Sequence, residues 1–234
     1  MVREGINMPV HLRLSSAKLE AKQALDRHLK ILDDIRSRCV VLNTTNDGFL
    51  YLMSIPIIYA AWEGYFKIAC SICLRRHCRP GQKVSSYPNI YAALWLQKEG
   101  FLASFLQKLL NTMTLGTPPK KQGGGKFDAL TDFAGAMKTW LGNPVDHLID
   151  FDALVMTHSN VNKNVAELNA KIIGLDISNV RLGRLDSLLE QRNSIAHGGL
   201  ITYPTQSNVE DTLDYAHNVI TEFHGAVIDW LNAN

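Results

Sequence analysis

The segment SNVEDTLDYAHNVITEFHGAVIDW, residues 207–230, carries the clearest folding signal in the chain. Its apolar residues recur in alternating steps of four and three, as on one face of an α-helix. They are Val209, Leu213, Ala216, Ile220, Phe223, Val227 and Trp230. Ser207 and Glu210 match the capping box, in which two side chains close the open N–H groups at a helix start. The segment therefore predicts a long helix that buries one face against its neighbours.

Two further helical patterns precede this segment. Residues 15–42 carry apolar side chains in steps of four and three, and the two serines at their start offer hydroxyls that can cap a helix. Residues 47–77 are apolar on most faces before Glu63, which predicts a buried central helix. Pro56 predicts a kink or a break in this helix, because proline has no N–H for the helical hydrogen bond.

A third, shorter pattern covers residues 181–197 and ends at Gly198, since glycine commonly follows the last residue of a helix. No segment shows the alternating pattern of a strand. The sequence therefore predicts an all-α fold: a bundle of four long helices with a helical insert between the second and the third. We expect a single domain over residues 1–234, with an N-terminal arm at 1–14.

The insert, residues 80–175, is less regular than the four helical segments. Three shorter helices are predicted in it: 90–112, 127–141 and 162–173. Residues 116–126 are rich in glycine, proline and lysine, which is typical of a flexible loop. This loop ends in Gly-Gly-Gly-Lys but lacks the serine or threonine that a phosphate-binding P-loop places after the lysine.

Composition and charge exclude several classes of protein. Apolar residues make up 46% and charged residues 20%, as in a globular domain. The net charge of +2, from 24 Lys and Arg against 22 Asp and Glu, excludes a strongly cationic protein that coats nucleic acid. The uncharged, strongly apolar stretch at residues 48–62 is shorter than the roughly 20 residues of a membrane-spanning helix. With four cysteines and no signal-peptide pattern, we expect a cytoplasmic protein without a membrane anchor.

In the helical segment at residues 181–197, charged and polar residues occupy positions where the helical periodicity predicts apolar ones. Arg192 follows Leu188 on the apolar seam, so its guanidinium either has a buried partner or lines a cleft. His197 occupies the last turn, and Asn193 lies four residues before it on the same face, where its amide can orient the imidazole. Arg192 and His197 lie about 140° apart around a straight helix. A purely structural role explains the same pattern: Arg192 would form a salt bridge, and His197 would cap the end of the helix.

The string Arg-Asn-Ser-Ile-Ala-His-Gly, residues 192–198, resembles the signature of the HEPN superfamily. That signature is an arginine, four to six residues and a histidine, often with a polar residue directly after the arginine. In this chain the three positions are Arg192, Asn193 and His197. The Trp62-Glu63 pair in the second long helix is also similar to stand-alone prokaryotic HEPN proteins. The resemblance covers the four long helices well and the 80–175 insert weakly.

The resemblance implies a metal-independent endoribonuclease without a cofactor. In such enzymes the RNA 2′-OH attacks the adjacent phosphorus and leaves a 2′,3′-cyclic phosphate and a 5′-OH. His197 is implied as general acid or base, Arg192 as the group that stabilises charge on the phosphoryl oxygens, and Asn193 as a positioning group. The family also implies a homodimer with two Arg–His motifs in one cleft at its interface, and a role as a toxin or in phage defence with an antitoxin or defence partner.

Two other interpretations stay open. Some HEPN proteins keep the fold without catalysis, so the chain can be a non-catalytic dimer that binds nucleotide or RNA, or that scaffolds a partner protein. Alternatively, the arginine and the histidine serve only the structure. The intact pair of Arg192 and His197, with Asn193 beside it, favours the ribonuclease.

Glu63 is a further candidate for the site. It shares an apolar stripe with Tyr59 and Phe66, and a carboxylate in such a stripe requires a partner. Arg192 is the obvious one. A catalytic role and a structural salt bridge are both compatible with this pattern.

Other basic residues are candidates for contacts with the RNA backbone: Arg75, Arg76, Lys120, Lys121 and Lys126. The arginines end the central helix, and the lysines lie in the predicted loop. Cys70, Cys73 and His77 share one helical face, but a zinc site normally takes a second pair of ligands from elsewhere. The chain offers no such pair, and we predict no metal site.

Overall fold

The computed structural model describes residues 12–43, 45, 47–79, 81–96, 99–113, 123–144, 151–157, 160–199 and 202–234. In chain order its α-helices are α1 (Leu14–Ile35), α2 (Gly48–His77), α3 (Asn89–Leu96), α4 (Gly100–Met113), α5 (Gly123–Gly142), α6 (Phe151–Leu154), α7 (Lys163–Ile173), α8 (Leu185–Ala196) and α9 (Gln206–Ala233). Within the described residues there is no strand, and the predicted all-α class is confirmed.

The chain divides into two compact units. The first comprises Met1–His77 and Phe151–Asn234, and the second comprises Cys78–Asp150. This division differs from the predicted insert of 80–175, because residues 151–175 belong to the first unit. The N-terminal arm lies outside the described residues except for its last three, of which Leu14 already begins α1.

The first unit is the predicted helical bundle, and α2 lies at its centre. This helix packs against α1, α8 and α9, which bury it from several sides. Phe223 of α9 contacts two aromatic rings of α2, with ring centroids 5.6 Å from Trp62 and 5.2 Å from Phe66. All seven residues of the apolar stripe predicted at 209–230 are buried, so the sequence pattern identified the core face of α9 correctly.

The helix starts differ from the predicted caps. Helix α1 begins one residue before the serines, and Arg13 occupies its cap without a side-chain bond. Helix α9 is capped by Thr205, two residues before Ser207, so the predicted capping box is wrong in position. The amide oxygen of Asn208 accepts from both the N–H and the hydroxyl of Thr205, which closes the helix earlier.

Helix α2 is continuous through Pro56, so the alternative of a break there is wrong. It is also long and apolar enough, by length and composition, to cross a membrane. However, 67% of its most apolar window is buried inside the structure, which is what the core helix of a soluble protein shows as well.

The second unit contains α3, α4 and α5. Phe105 of α4 stacks on Phe133 of α5 with ring centroids 4.2 Å apart, and Trp140 donates to Glu99. The helix predicted at 90–112 is divided into α3 and α4. Of the loop predicted at 116–126, residues 116–122 lie outside the described part of the chain, and 123–126 instead form the first turn of α5.

We predict that Phe223→Ala destabilises the first unit by about 3–5 kcal/mol, because the phenyl ring is fully buried and its removal leaves a cavity among Trp62 and Phe66. Urea denaturation followed by circular dichroism measures the change. Phe127→Ala is the matched control, since the side chain of Phe127 is 70% exposed and its removal leaves no cavity. Equal midpoints for the two variants would contradict this account of the core.

Candidate functional site

Arg192 lies half-buried on the inner face of α8, where the helix packs against α2. Its guanidinium donates to the amide oxygen of Asn193 at 2.8 Å and reaches Asn160 at 3.5 Å. Its Cζ atom lies 5.6 Å from the centre of the Tyr59 ring, within the range of a cation–π contact. These partners are all uncharged. Among the described residues no ion pair within 4.0 Å neutralises the guanidinium, so its positive charge remains available to an anion.

Glu63 lies one turn after Tyr59 on α2 and faces the same region. Burial raises the pKa of its carboxyl, while the nearby charges of Arg192 and Lys67 lower it by a smaller amount. Burial, with a further contribution from the charge of Glu63, raises the pKa of Tyr59 to about 12. The expected salt bridge between Glu63 and Arg192 is therefore present only as a longer-range attraction, and Asn193 takes the direct hydrogen bond.

The loop before α7 completes the surroundings of Arg192. The phenol of Tyr59 accepts from the N–H of Val161, and the indole of Trp62 donates to the carbonyl of the same residue at 3.1 Å. One residue of the loop, Val161, is thus held through its N–H and its carbonyl by two buried aromatic side chains of α2. Asn160 precedes this residue and reaches Arg192. Asn162 follows it and caps α7 by accepting from Val165.

His197 follows the last residue of α8 and is exposed. Two turn hydrogen bonds end the helix there: Gly198 N–H donates to Ile195, and Gly199 N–H donates to Ser194. Gly198 adopts a φ of +67°, which a side chain would disfavour. The predicted glycine stop is therefore confirmed, and it leaves the imidazole at the open end of the helix.

A shallow groove of about 550 Å³ surrounds His197, and we call it the His197 groove. Its lining includes Asn193, Asn162, and the acidic residues Asp186 and Glu190. No lysine or arginine lines it among the described residues. A phosphate in this groove would therefore need a cation from elsewhere, because Arg192 is not part of the lining.

Asn193 has neighbours on both sides of α8. Its amide oxygen accepts from Arg192 on the inner face of α8, and the same side chain lines the His197 groove on the outer face. Arg192 and His197 thus point to different sides of one helix, as their spacing predicted. Within a single chain they do not converge on one point; Asn193 lies between them.

The predicted RNA-contacting residues have different surroundings. Arg75 pairs with Glu20 at 2.8 Å, and only 11% of its side chain is exposed. Arg76 donates to the backbone carbonyls of Leu12 and Asn234. Both guanidiniums thus hold the ends of helices together. Lys120, Lys121 and the side chain of Lys126 lie outside the described residues.

The cysteines of α2 belong to its core. Cys70 and Cys73 are fully buried, and burial raises the pKa of both thiols. No group of three or more potential metal ligands converges within the part of the chain that the structure describes.

Sequence patterns did not identify two contacts of the arginine. Tyr59 lies four residues before Glu63, so the helical spacing places both on one face and could have indicated that Tyr59 also lies near Arg192. Asn160 is 32 residues before Arg192 in an irregular segment, so no spacing rule connects the two.

We predict that the free energy of unfolding of Glu63→Gln increases relative to that of the wild type as the pH rises from about 4 to 7. Because burial raises the pKa of Glu63, the folded protein binds this proton more tightly than the unfolded chain does. The resulting stability is present below the pKa of an unfolded glutamate and is lost as the pH rises through the folded value. Urea unfolding of both proteins at several pH values measures the difference; a constant difference would contradict the prediction.

Comparison with known proteins identifies the family. The family model described as RiboL-PSP-HEPN matches residues 16–229, which include α2 and α8 entirely, most of α1 and α9, and both Arg192 and His197. No curated protein and no solved structure matches the chain. The chain belongs to the RiboL-PSP-HEPN family of the HEPN superfamily, whose all-α domains are generally associated with ribonucleases.

Proposed function

We propose that this protein is a metal-independent endoribonuclease. One observation carries the proposal: a half-buried Arg192, with no ion pair within 4.0 Å among the described residues, donates to Asn193, which lines the groove of the exposed His197. An arginine whose charge is not used by a carboxylate is suited to bind a phosphate. An exposed imidazole is suited to transfer protons near neutral pH.

The reaction follows from these two groups. The 2′-oxygen of a ribose attacks the adjacent phosphorus, and the bond from phosphorus to the 5′-oxygen of the next nucleotide breaks. One imidazole removes the proton of the 2′-OH, and an imidazolium returns a proton to the leaving 5′-oxygen. Arg192 stabilises the negative charge on the non-bridging oxygens. The products are a 2′,3′-cyclic phosphate and a 5′-OH, and neither step requires a metal.

The geometry favours a homodimer with the site at its interface. In one chain the His197 groove contains two carboxylates and no cation, and Arg192 lies on the far side of Asn193. A second copy related by a two-fold axis would bring its arginine and histidine to the same cleft. Helix α2 offers a contact surface formed by four exposed apolar side chains: Phe49, Leu50, Met53 and Ile57. We call this surface the α2 stripe.

Glu63 and Asn193 act in this proposal as positioning residues. Glu63 attracts the guanidinium of Arg192 through its charge, and Asn193 fixes the guanidinium by a hydrogen bond. The setting is a cytoplasmic toxin or phage-defence protein held in check by an antitoxin or a defence partner. Family membership supports this setting, and the residues themselves do not specify it.

We predict that Arg192→Ala and His197→Ala each lower RNA cleavage by about 10²–10⁴-fold, since each removes a group that acts in the transition state. The assay incubates total RNA with each protein in EDTA and maps the new ends. Arg27→Ala and His217→Ala are matched controls, because both residues are exposed and lie outside the site. They should cleave as the wild type does.

Other outcomes separate the alternatives. Cleavage that requires a divalent cation would contradict the metal-independent mechanism. RNA binding without cleavage, by wild-type protein that is folded and dimeric, would favour the non-catalytic binding protein. Full activity of a folded His197→Ala protein would remove the proposal altogether.

We also predict that Ile57→Glu converts the dimer into monomers and abolishes cleavage, because it places a charge within the apolar α2 stripe. Light scattering after size-exclusion chromatography measures the mass. Leu19→Glu is the matched control, since Leu19 is an equally exposed apolar residue on α1. A monomeric wild-type protein that cleaves RNA would contradict the dimeric site.

A further inference from the structure

A second concavity lies beside the His197 groove, on the adjacent face of α8. It encloses about 580 Å³ between the starts of α2 and α9, a size typical of small-molecule sites. Glu190 and Ser194 line both concavities, so a single ridge of α8 separates them. We call the second one the Tyr203 cavity, because this tyrosine lines it and is the most exposed aromatic residue there.

Tyr203 is held as a platform at the edge of the cavity. A Cβ atom added at Gly48 would lie 3.1 Å from both Cβ and Cγ of Tyr203, so the first residue of α2 supports the tyrosine closely from one side. Yet 59% of Tyr203 remains exposed. An exposed aromatic ring that is supported from behind is the usual surface on which an unpaired base stacks.

The polar lining of the cavity suits a base rather than a phosphate. Glu190 and Asp211 both line it, and neither has an ion-pair partner within 4.0 Å among the described residues. One guanidinium, that of Arg184, also lines the cavity, and its Cζ atom lies 5.1 Å from the centre of the Tyr215 ring. The two carboxylates outnumber it, and they accept hydrogen bonds from the amino groups of bases. Gln191, on the same wall, adds an amide that can donate and accept.

Distance also connects the cavity with the reaction. The two concavities share Glu190 and Ser194, so only one ridge of α8 side chains separates them. A few nucleotides of single-stranded RNA span this separation. Ser194 has a short side chain, which leaves room for the sugar-phosphate backbone to cross the ridge between them.

We propose that the Tyr203 cavity binds a base of the RNA strand that is cleaved at the His197 groove, and that it prefers bases carrying an exocyclic amino group over uracil. This inference rests on the proposed ribonuclease function for the identity of its ligand. The base stacks on Tyr203, and its amino group donates to Asp211 or Glu190.

The test uses RNA that cannot be cleaved. Fluorescein-labelled 2′-O-methyl hexanucleotides lack the attacking 2′-OH, so their affinity is independent of catalysis. Oligo(A) and oligo(C) should bind more tightly than oligo(U). Tyr203→Ala should weaken oligo(A) binding about 10-fold, as expected for one lost stacking contact, whereas Tyr203→Phe keeps the ring and should bind as the wild type does. Phe127→Ala controls for loss of an exposed aromatic residue elsewhere.

Asp211→Asn tests the recognition of the amino group. An amide can donate as well as accept, so this variant should lose most of the discrimination against oligo(U). Unchanged discrimination in both Asp211→Asn and Glu190→Gln would overturn the assignment of base preference.

Failure of this inference can be distinguished from failure of the ribonuclease proposal. If the wild type cleaves RNA but folded Tyr203→Ala binds every probe normally, the cavity is not a base site and the enzyme proposal stands. If Tyr203→Ala loses probe binding while the wild type cleaves nothing, the base site stands and the catalytic proposal falls. Absence of binding of all three probes to the wild type would overturn the base site.

Discussion

The indole ring of Trp62 links the core of the bundle to its functional surface. The ring packs edge-on against Phe223 of α9, while its N–H holds the carbonyl of Val161. The N–H of Val161 donates in turn to Tyr59, so the loop before α7 is tied to two fully buried rings. The position of Asn160 beside Arg192 depends on this anchor. An error in the packing of α2 would therefore displace the site as well as weaken the fold.

Polarity around α8 is arranged in two layers. The inner face holds a positive charge against an aromatic ring and two amides, where partial burial limits its screening by water. The outer face exposes a histidine among carboxylates. Asn193 takes part in both layers, since it accepts from Arg192 and lines the His197 groove. This arrangement is the reason why we propose that a second copy of the chain completes the site.

Much of the fold could be predicted because helical periodicity is a local property. The stripe from Val209 to Trp230 identified the core face of α9, and Gly198 identified the end of α8. The caps were predicted less well, since several polar residues near each helix start can supply the hydrogen bond. At α9 the cap is Thr205, because the amide oxygen of Asn208 accepts from both its N–H and its hydroxyl. The sequence also does not indicate that residues 151–175 belong to the first unit. The contacts that place Val161 against α2 join residues about 100 positions apart.

The sequence by itself determined the helical class, the buried stripes, and the spacing that places Arg192 and His197 on different sides of one helix. All of these depend on residues a few positions apart, whose geometry is set by the regular helix. Only the tertiary structure decided that Arg192 meets Asn160 and Tyr59, that Glu63 stays beyond ion-pair distance, and that Tyr203 lies against Gly48. These contacts join distant segments, and the packing of whole helices, rather than any local pattern, sets the distances between them.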